Sequence, residues 1–223
     1  MQHPFSRRTA FAIAFSALAA LTSSVWASDP APYPTKPIRI VVPFPPGGYS
    51  DALARIIATD FTNNFGQSAV VENRPGAGGN IGADLVSKSP ADGYTLGMGT
   101  IGTQVINPLI YARMPYNAAK DFSPVSFIAD AETVLVVHPK ISARSVKDLI
   151  ALAKARPGEL TFASGGPGTT GQLAGELFKV NTNTALVHVP YKGNVPALTD
   201  LVGGQVDMSL ATMQPALPFI KSG

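Results

Sequence analysis

Apolar positions along the chain switch repeatedly between two spacings. Residues 38–42 read Ile-Arg-Ile-Val-Val, a nearly continuous β-branched run that predicts a strand covered on both faces. Leu53, Ile56, Ile57, Phe61 and Phe65 then recur at helical intervals, which predicts an amphipathic helix closed by Gly66. Strands are predicted over 68–73 and 94–100, with a helix over 78–89 between them. In the second half, Ser145 and Asp148 form a capping-box pattern ahead of a stripe of Val146, Leu149, Ile150 and Ala153, and Pro157 and Gly158 stop that helix. Strands at 160–164, 185–189 and 206–210 then alternate with helices at 169–180 and 195–202. This alternation predicts an α/β fold with mainly parallel sheets flanked by helices.

Residues 121–139 break the rhythm. They are long, strand-like and interrupted by polar side chains, as a segment crossing from one domain to another would be. The expected organisation is a leader over 1–27, a first α/β domain over 28–130 and a second over 131–223.

Composition narrows the class. With 223 residues, 45% hydrophobic and 14% charged, the chain can bury real cores and is no disordered polyelectrolyte. Arg7 and Arg8 precede an apolar stretch from Phe11 to Leu21, and small residues Val25 and Ala27 place a cut before Ser28, the pattern of a cleaved export signal. The apolar stretch is shorter than the ~20 residues a membrane span needs. The net charge of +3 falls to +1 without those two arginines, which gives no footprint for nucleic acid. Cysteine is absent, so thiolate catalysis, disulfides and Cys-based metal sites are excluded.

The predicted strands end in loops of one kind: "PFPPGGYSD", "NRPGAGGN", "GMGT", "SGGPGTT" and "YKGN". Ligands of open α/β sheets collect at such strand ends. Glycine lets backbone approach a guest, and N–H groups at a helix start favour an anion. None of these loops ends in the Gly-Lys-Ser/Thr of a phosphate loop. G-x-G-x-x-G occurs at Gly97, Gly99, Gly102 and at Gly166, Gly168, Gly171, but neither match has an acidic residue closing a strand about 20 residues on, as ribose recognition requires. No cofactor is expected. Catalysis is weakly supported: His138 precedes a proline, His188 lies inside a strand pattern, and no G-x-S-x-G surrounds Ser50 or Ser164. Ser164 reads as a hydroxyl donor beside backbone amides, and Asp51 as a first-turn carboxylate stabilised by the helix dipole, with a ligand-ordering role as its functional supplement. An exported α/β hydrolase using Ser164 or Asp51 is the alternative reading. Arg55 and Arg74 are candidate cations, Arg55 on the helix body and Arg74 nearer a loop mouth.

Together "PFPPGGYSDALAR", "VENRPGAGGNIGADLV", "SPADGYTL", "GELTFASGGPGTTGQLAGELFK", "VPYKGNVPALTDLVGGQVDM" and "PALPFIKSG" resemble the Bug-type solute-binding proteins of tripartite tricarboxylate transporters, from about Tyr33 to the last residue. The resemblance implies a two-domain periplasmic binding protein, type II-like, that holds a small carboxylate and hands it to membrane transporter subunits. It implies no enzymatic activity, and a monomer. Matched residue by residue, it places Gly47, Gly48, Tyr49 and Asp51 in the first-domain loop, with Thr100 in the loop after the third strand. Ser164, Gly165, Thr169 and Thr170 fall in the second-domain anion loop, and Tyr191, Lys192 and Gly193 in the last. Gln172 stands where the family often shows His, which keeps a donor but loses titration. Family members continue past the "PALPFIKSG" motif, so the expectation is a chain lacking the C-terminal part, with an unpaired edge on the first sheet and reduced stability.

Overall fold

Ile38, Ile40, Val41 and Val42 bury almost completely because they form the central strand of a sheet with helices on its faces. In the computed structural model, which describes residues 33–222, this strand β1 (Ile38–Val42) pairs in parallel with β2 (Ala69–Asn73) and β3 (Thr95–Gly97), in the order β2-β1-β3. Helix α1 (Tyr49–Phe65) packs on one face, and Gly66 ends it in the left-handed conformation at φ 67°. Helix α2 (Asn80–Ser87) follows a short left-handed turn at Ala77–Gly79. Residues 102–106 wind as a π-helical turn that runs into the four-residue helix α3 (Asn107–Ile110), so Pro108 falls in a first turn and does not break a longer helix.

The second sheet has the order β4-β7-β5-β6, from β4 (Thr133–Val137), β5 (Thr161–Ser164), β6 (Val187–Pro190) and β7 (Met208–Thr212). All its pairings are parallel except β4 with β7. Helices α4 (Val146–Ala155) and α5 (Thr170–Thr182) flank it, with α6 (Asn194–Val202) and α7 (Met213–Ser222). Phe162, Leu149, Leu160 and Met208 anchor one core cluster, and Ala163, Leu198, Leu201 and Val206 a second, so the sheet is the middle of three layers. Each large side chain so buried contributes about 1.5–3 kcal/mol. The capping box holds as expected: the Ser145 hydroxyl accepts the Asp148 N–H at 3.1 Å.

Three expectations need correction. Within the α1 stripe, Ile56 and Phe65 are exposed, and the sheet is met by Ala54 and Ala58 with Leu53, Ile57 and Phe61 at the flanks. Val146 at the start of α4 is also exposed. Of residues 121–139, only 133–137 form a strand, because that is the length β7 offers as a partner. Residues 123–132 are irregular and almost wholly exposed. The export signal lies outside the described residues. Among the described residues no helix is long and apolar enough to cross a membrane.

Candidate functional site

Strand ends of both sheets carry the glycine loops, and the loops meet. A Cβ built on Gly193 would lie 2.5 Å from Pro45 Cδ, and one on Gly47 would lie 3.9 Å from Val195. Gly102 faces the carbonyl of Gly168 with room for no Cβ, at 2.9 Å, and Gly78 is pressed against the carbonyl of Pro167. Side chains at these positions would hold the sheets apart. Glycine is also dictated by conformation at Gly47, Gly78 and Gly168, whose φ values are 81°, 63° and 76°.

Asp51 organises the first loop. Its carboxylate is buried and accepts the Gly47 N–H at 2.9 Å, Asn73 Nδ2 at 2.9 Å and the Arg55 guanidinium at 2.9 and 3.1 Å. Burial opposes its ionisation, but the hydrogen bonds from Arg55, Gly47 and Asn73 outweigh it and hold the pKa below the ordinary value. With those donors in place Asp51 is no free base, and its carboxylate ties the Gly47 turn to α1 and β2. Tyr49 leads into α1 and donates its hydroxyl to the carbonyl of Asp130 at 2.5 Å.

The second-sheet loop is built on Ser164 and the start of α5. Ser164 is fully buried; its Oγ lies 2.7 Å from His188 Nε2 and accepts the Gly166 N–H at 3.1 Å. Its hydroxyl, expected as a donor beside backbone amides, shapes the loop from beneath. Thr169 caps α5, donating to Gly166 O at 2.7 Å and accepting the Gln172 N–H. Thr170 and Gly171 follow as the first helical residues, whose N–H groups an α-helix leaves to outside acceptors. Gln172 turns its amide oxygen back onto the Gly168 N–H at 2.7 Å, so the loop uses it as an acceptor where a donor was expected. Gly165 packs against Asn194, whose Nδ2 reaches Thr212.

In the last loop, Tyr191 donates to Asp200 at 2.7 Å, and burial together with that carboxylate pushes its pKa up to about 12. Its hydroxyl serves α6. Lys192 is exposed, and Gly193 is buried against Pro45. Thr100 and Thr103 cap the π-helical turn reciprocally, N–H to hydroxyl, at 3.1 and 3.2 Å. Both candidate arginines are engaged, Arg55 by Asp51 and Arg74 by Glu72.

Sequence reasoning missed four asparagines and took His188 only as a strand residue with no catalytic role. Asn73 carries Phe44 O and Asp51 together, Asn80 and Asn107 form a buried pair, Asn194 backs Gly165, and His188 backs Ser164. Each asparagine lies at a strand end or in a first helical turn beside a glycine loop, which is the signal that could have marked it. Two open hollows, lined by residues of 77–84 and 108–121, contain none of the predicted residues. No cluster of three or more metal-binding side chains exists among the described residues.

Residues 53–223 match the model of the tripartite tricarboxylate transporter family receptor. The chain is 44% identical over 192 residues to protein BugT of Bordetella pertussis, covering 86% of this chain and 59% of that protein. A solved Rhodopseudomonas palustris protein with adipate superposes with a TM-score of 0.84 at 43% identity, covering 86% of this chain and 64% of that one. MatC from Rhodopseudomonas palustris with bound malate gives 0.80 at 28% identity, covering 85% and 65%. A TctC solute-binding protein from Polaromonas without ligand gives 0.54 at 27% identity, covering 85% and 64%. The chain thus spans less than two thirds of the length of these relatives. It belongs to the tripartite tricarboxylate transporter receptor family.

Proposed function

We propose that this family member is a periplasmic receptor that traps a small di- or tricarboxylate, or a related organic acid, between glycine-lined strand ends. In this reading the acid passes to membrane transporter subunits. The observation that carries the reading is that glycine loops of both sheets meet, Gly78 and Gly102 against Pro167 and Gly168 ahead of α5, and Pro45 and Gly47 against Gly193 and Val195 at the start of α6. One carboxylate is taken by the N–H groups of Thr170 and Gly171 and by the Thr170 hydroxyl, aided by the helix dipole, while Thr169 holds the loop. The Gly47–Gly48 loop, held rigid by Asp51 and Asn73, closes from the first sheet. Charged hydrogen bonds contribute about 1.5–3 kcal/mol each, so four or five reach the roughly 8 kcal/mol of micromolar affinity after association costs. No buried arginine is required.

Adipate and malate, held by two relatives, support a small dicarboxylate as the ligand class. The chain's arrangement fits the malate-bound relative better than the unliganded one of equal identity, which supports a ligand-holding arrangement of the two sheets. The two sheets are read as two domains hinged through residues 123–132, working as a monomer after cleavage of the leader. Equilibrium dialysis of labelled adipate and malate tests the reading: Thr169→Val with Thr170→Val should weaken retention at least about tenfold, and equal retention by wild type and variant would overturn it.

A further inference from the structure

The contact between the sheets is concentrated on one turn. Pro167 and Gly168, at the tip of the anion loop, enter a recess with three walls from the first sheet. Gly78 lies against the Pro167 carbonyl and beneath Tyr111, where a Cβ would stand 3.1 Å from the hydroxyl. Gly102 lies under the Gly168 carbonyl. Asn107 lies on the Cα of Gly168, where its Oδ1 occupies the place of any side chain, with Ile110 beside it.

Asn107 is held by bonds that have nothing to do with α3 itself. It is fully buried, and its Nδ2 donates to Gly78 O at 3.1 Å and to Asn80 Oδ1 at 2.6 Å. Tyr116 shares its hydroxyl between Asn80 Oδ1 and Thr103 O, at 2.8 and 2.7 Å. This network fixes the walls. The Gly78 wall is further set by four consecutive residues of positive φ, Gly76 to Gly79, including Ala77 at 49°, a conformation L-residues occupy at a cost. The Asn107 Oδ1 that faces Gly168 has no hydrogen-bond partner. Seating the turn therefore sets Gly168 against a buried amide oxygen that leaves no room for a side chain.

We propose that Gly102 and Asn107 are positioning residues for ligand capture: with Gly78 they form a side-chain-free socket in which the Pro167–Gly168 turn seats, and this seating sets the anion loop against the first sheet. The inference rests on the carboxylate-receptor reading, since the turn so seated carries the loop that grips the acid. Neither residue touches the acid; they act through the turn.

Gly102→Ala tests it cleanly. Gly102 has no positive φ and begins a helical turn, so alanine suits the local backbone and should leave the melting temperature unchanged or raised. Its methyl group would meet the Gly168 carbonyl. Because the chain has no cysteine, Asp60→Cys with Lys154→Cys admits one spin label on each side without background. The expected result is that Gly102→Ala lengthens the label-to-label distance in the full chain and lowers adipate affinity by at least about fivefold, whereas Gly203→Ala, at the far end of α6 with its nearest neighbour at 3.4 Å, changes neither. An unchanged distance overturns the socket whether or not adipate binds. A lengthened distance with unchanged adipate affinity overturns the positioning role. If wild type retains no carboxylate, the receptor reading fails while the distance still decides the socket. Should Gly102→Ala not fold, Gly168→Asn, which tolerates the left-handed backbone, places the obstruction on the other partner, and the same two results decide.

Discussion

Ser164 Oγ and His188 Nε2 stand 2.7 Å apart on neighbouring strands, with the imidazole stacked on Phe162 at 4.7 Å. A serine beside a histidine is the geometry of an activated nucleophile. Here the serine is fully buried and its oxygen also accepts the Gly166 N–H, so the pair staples β5 to β6 under the anion loop. Ser164→Ala leaves His188 and Gly166 without that partner and should cost about 1–3 kcal/mol in urea unfolding. Ester or amide turnover that disappears with Ser164 would contradict the staple.

His188 makes stability depend on pH. Burial, then the Lys179 ammonium, lower its pKa below the ordinary 6.5 against the opposing pull of Glu176. The unfolded chain thus binds the proton more readily, so the contribution is complete above about pH 6.5 and is lost as pH falls toward the folded pKa. Melting curves from pH 7.5 to 5 should show this loss in wild type and a smaller one in His188→Gln.

Asp51 acts in the acid range. Its lowered pKa means that its stabilisation is present above the unfolded value, 3.8, and vanishes as pH falls through the folded one. Asp51→Asn, which keeps the shape but sets an NH2 against either the Gly47 N–H or Asn73 Nδ2 and removes the charge facing Arg55, should destabilise by about 1–3 kcal/mol and weaken carboxylate retention together. Loss of retention without loss of stability would show a direct ligand contact instead.

Gly175 is where α5 meets the core. A Cβ there would run into the Phe162 ring, so Gly175→Ala should destabilise by about 1–3 kcal/mol although alanine is the better helix former. An unchanged midpoint in guanidinium would show that Phe162 can yield.

Strand and helix order was legible because local chemistry marks each boundary: Ser145 caps α4 and Gly66 closes α1. Burial of individual helix positions was less so. A three-stranded sheet covers a narrow face, so α1 approaches it through Ala54 and Ala58, and Ile56 and Phe65 are left at the sides. The long reading of 121–139 failed because extended composition makes a strand only where a partner exists, and β7 ends opposite Thr133. The site loops were legible through glycines that the backbone requires, as at Gly47 and Gly168. Which polar groups those loops already use was not. Gln172 reaching back to Gly168, or Tyr191 reaching forward to Asp200, depends on rotamers, and the pairing of Gly78 with Pro167 depends on how two sheets meet.

The most direct test is a calorimetric titration of the chain with adipate and, in parallel, with its neutral diamide. Main-chain donors at a helix start read negative charge, so the acid should bind at one per chain with micromolar affinity and the diamide at least about a hundredfold more weakly. Equal binding of the two, or binding of neither, would contradict a site made from backbone N–H groups.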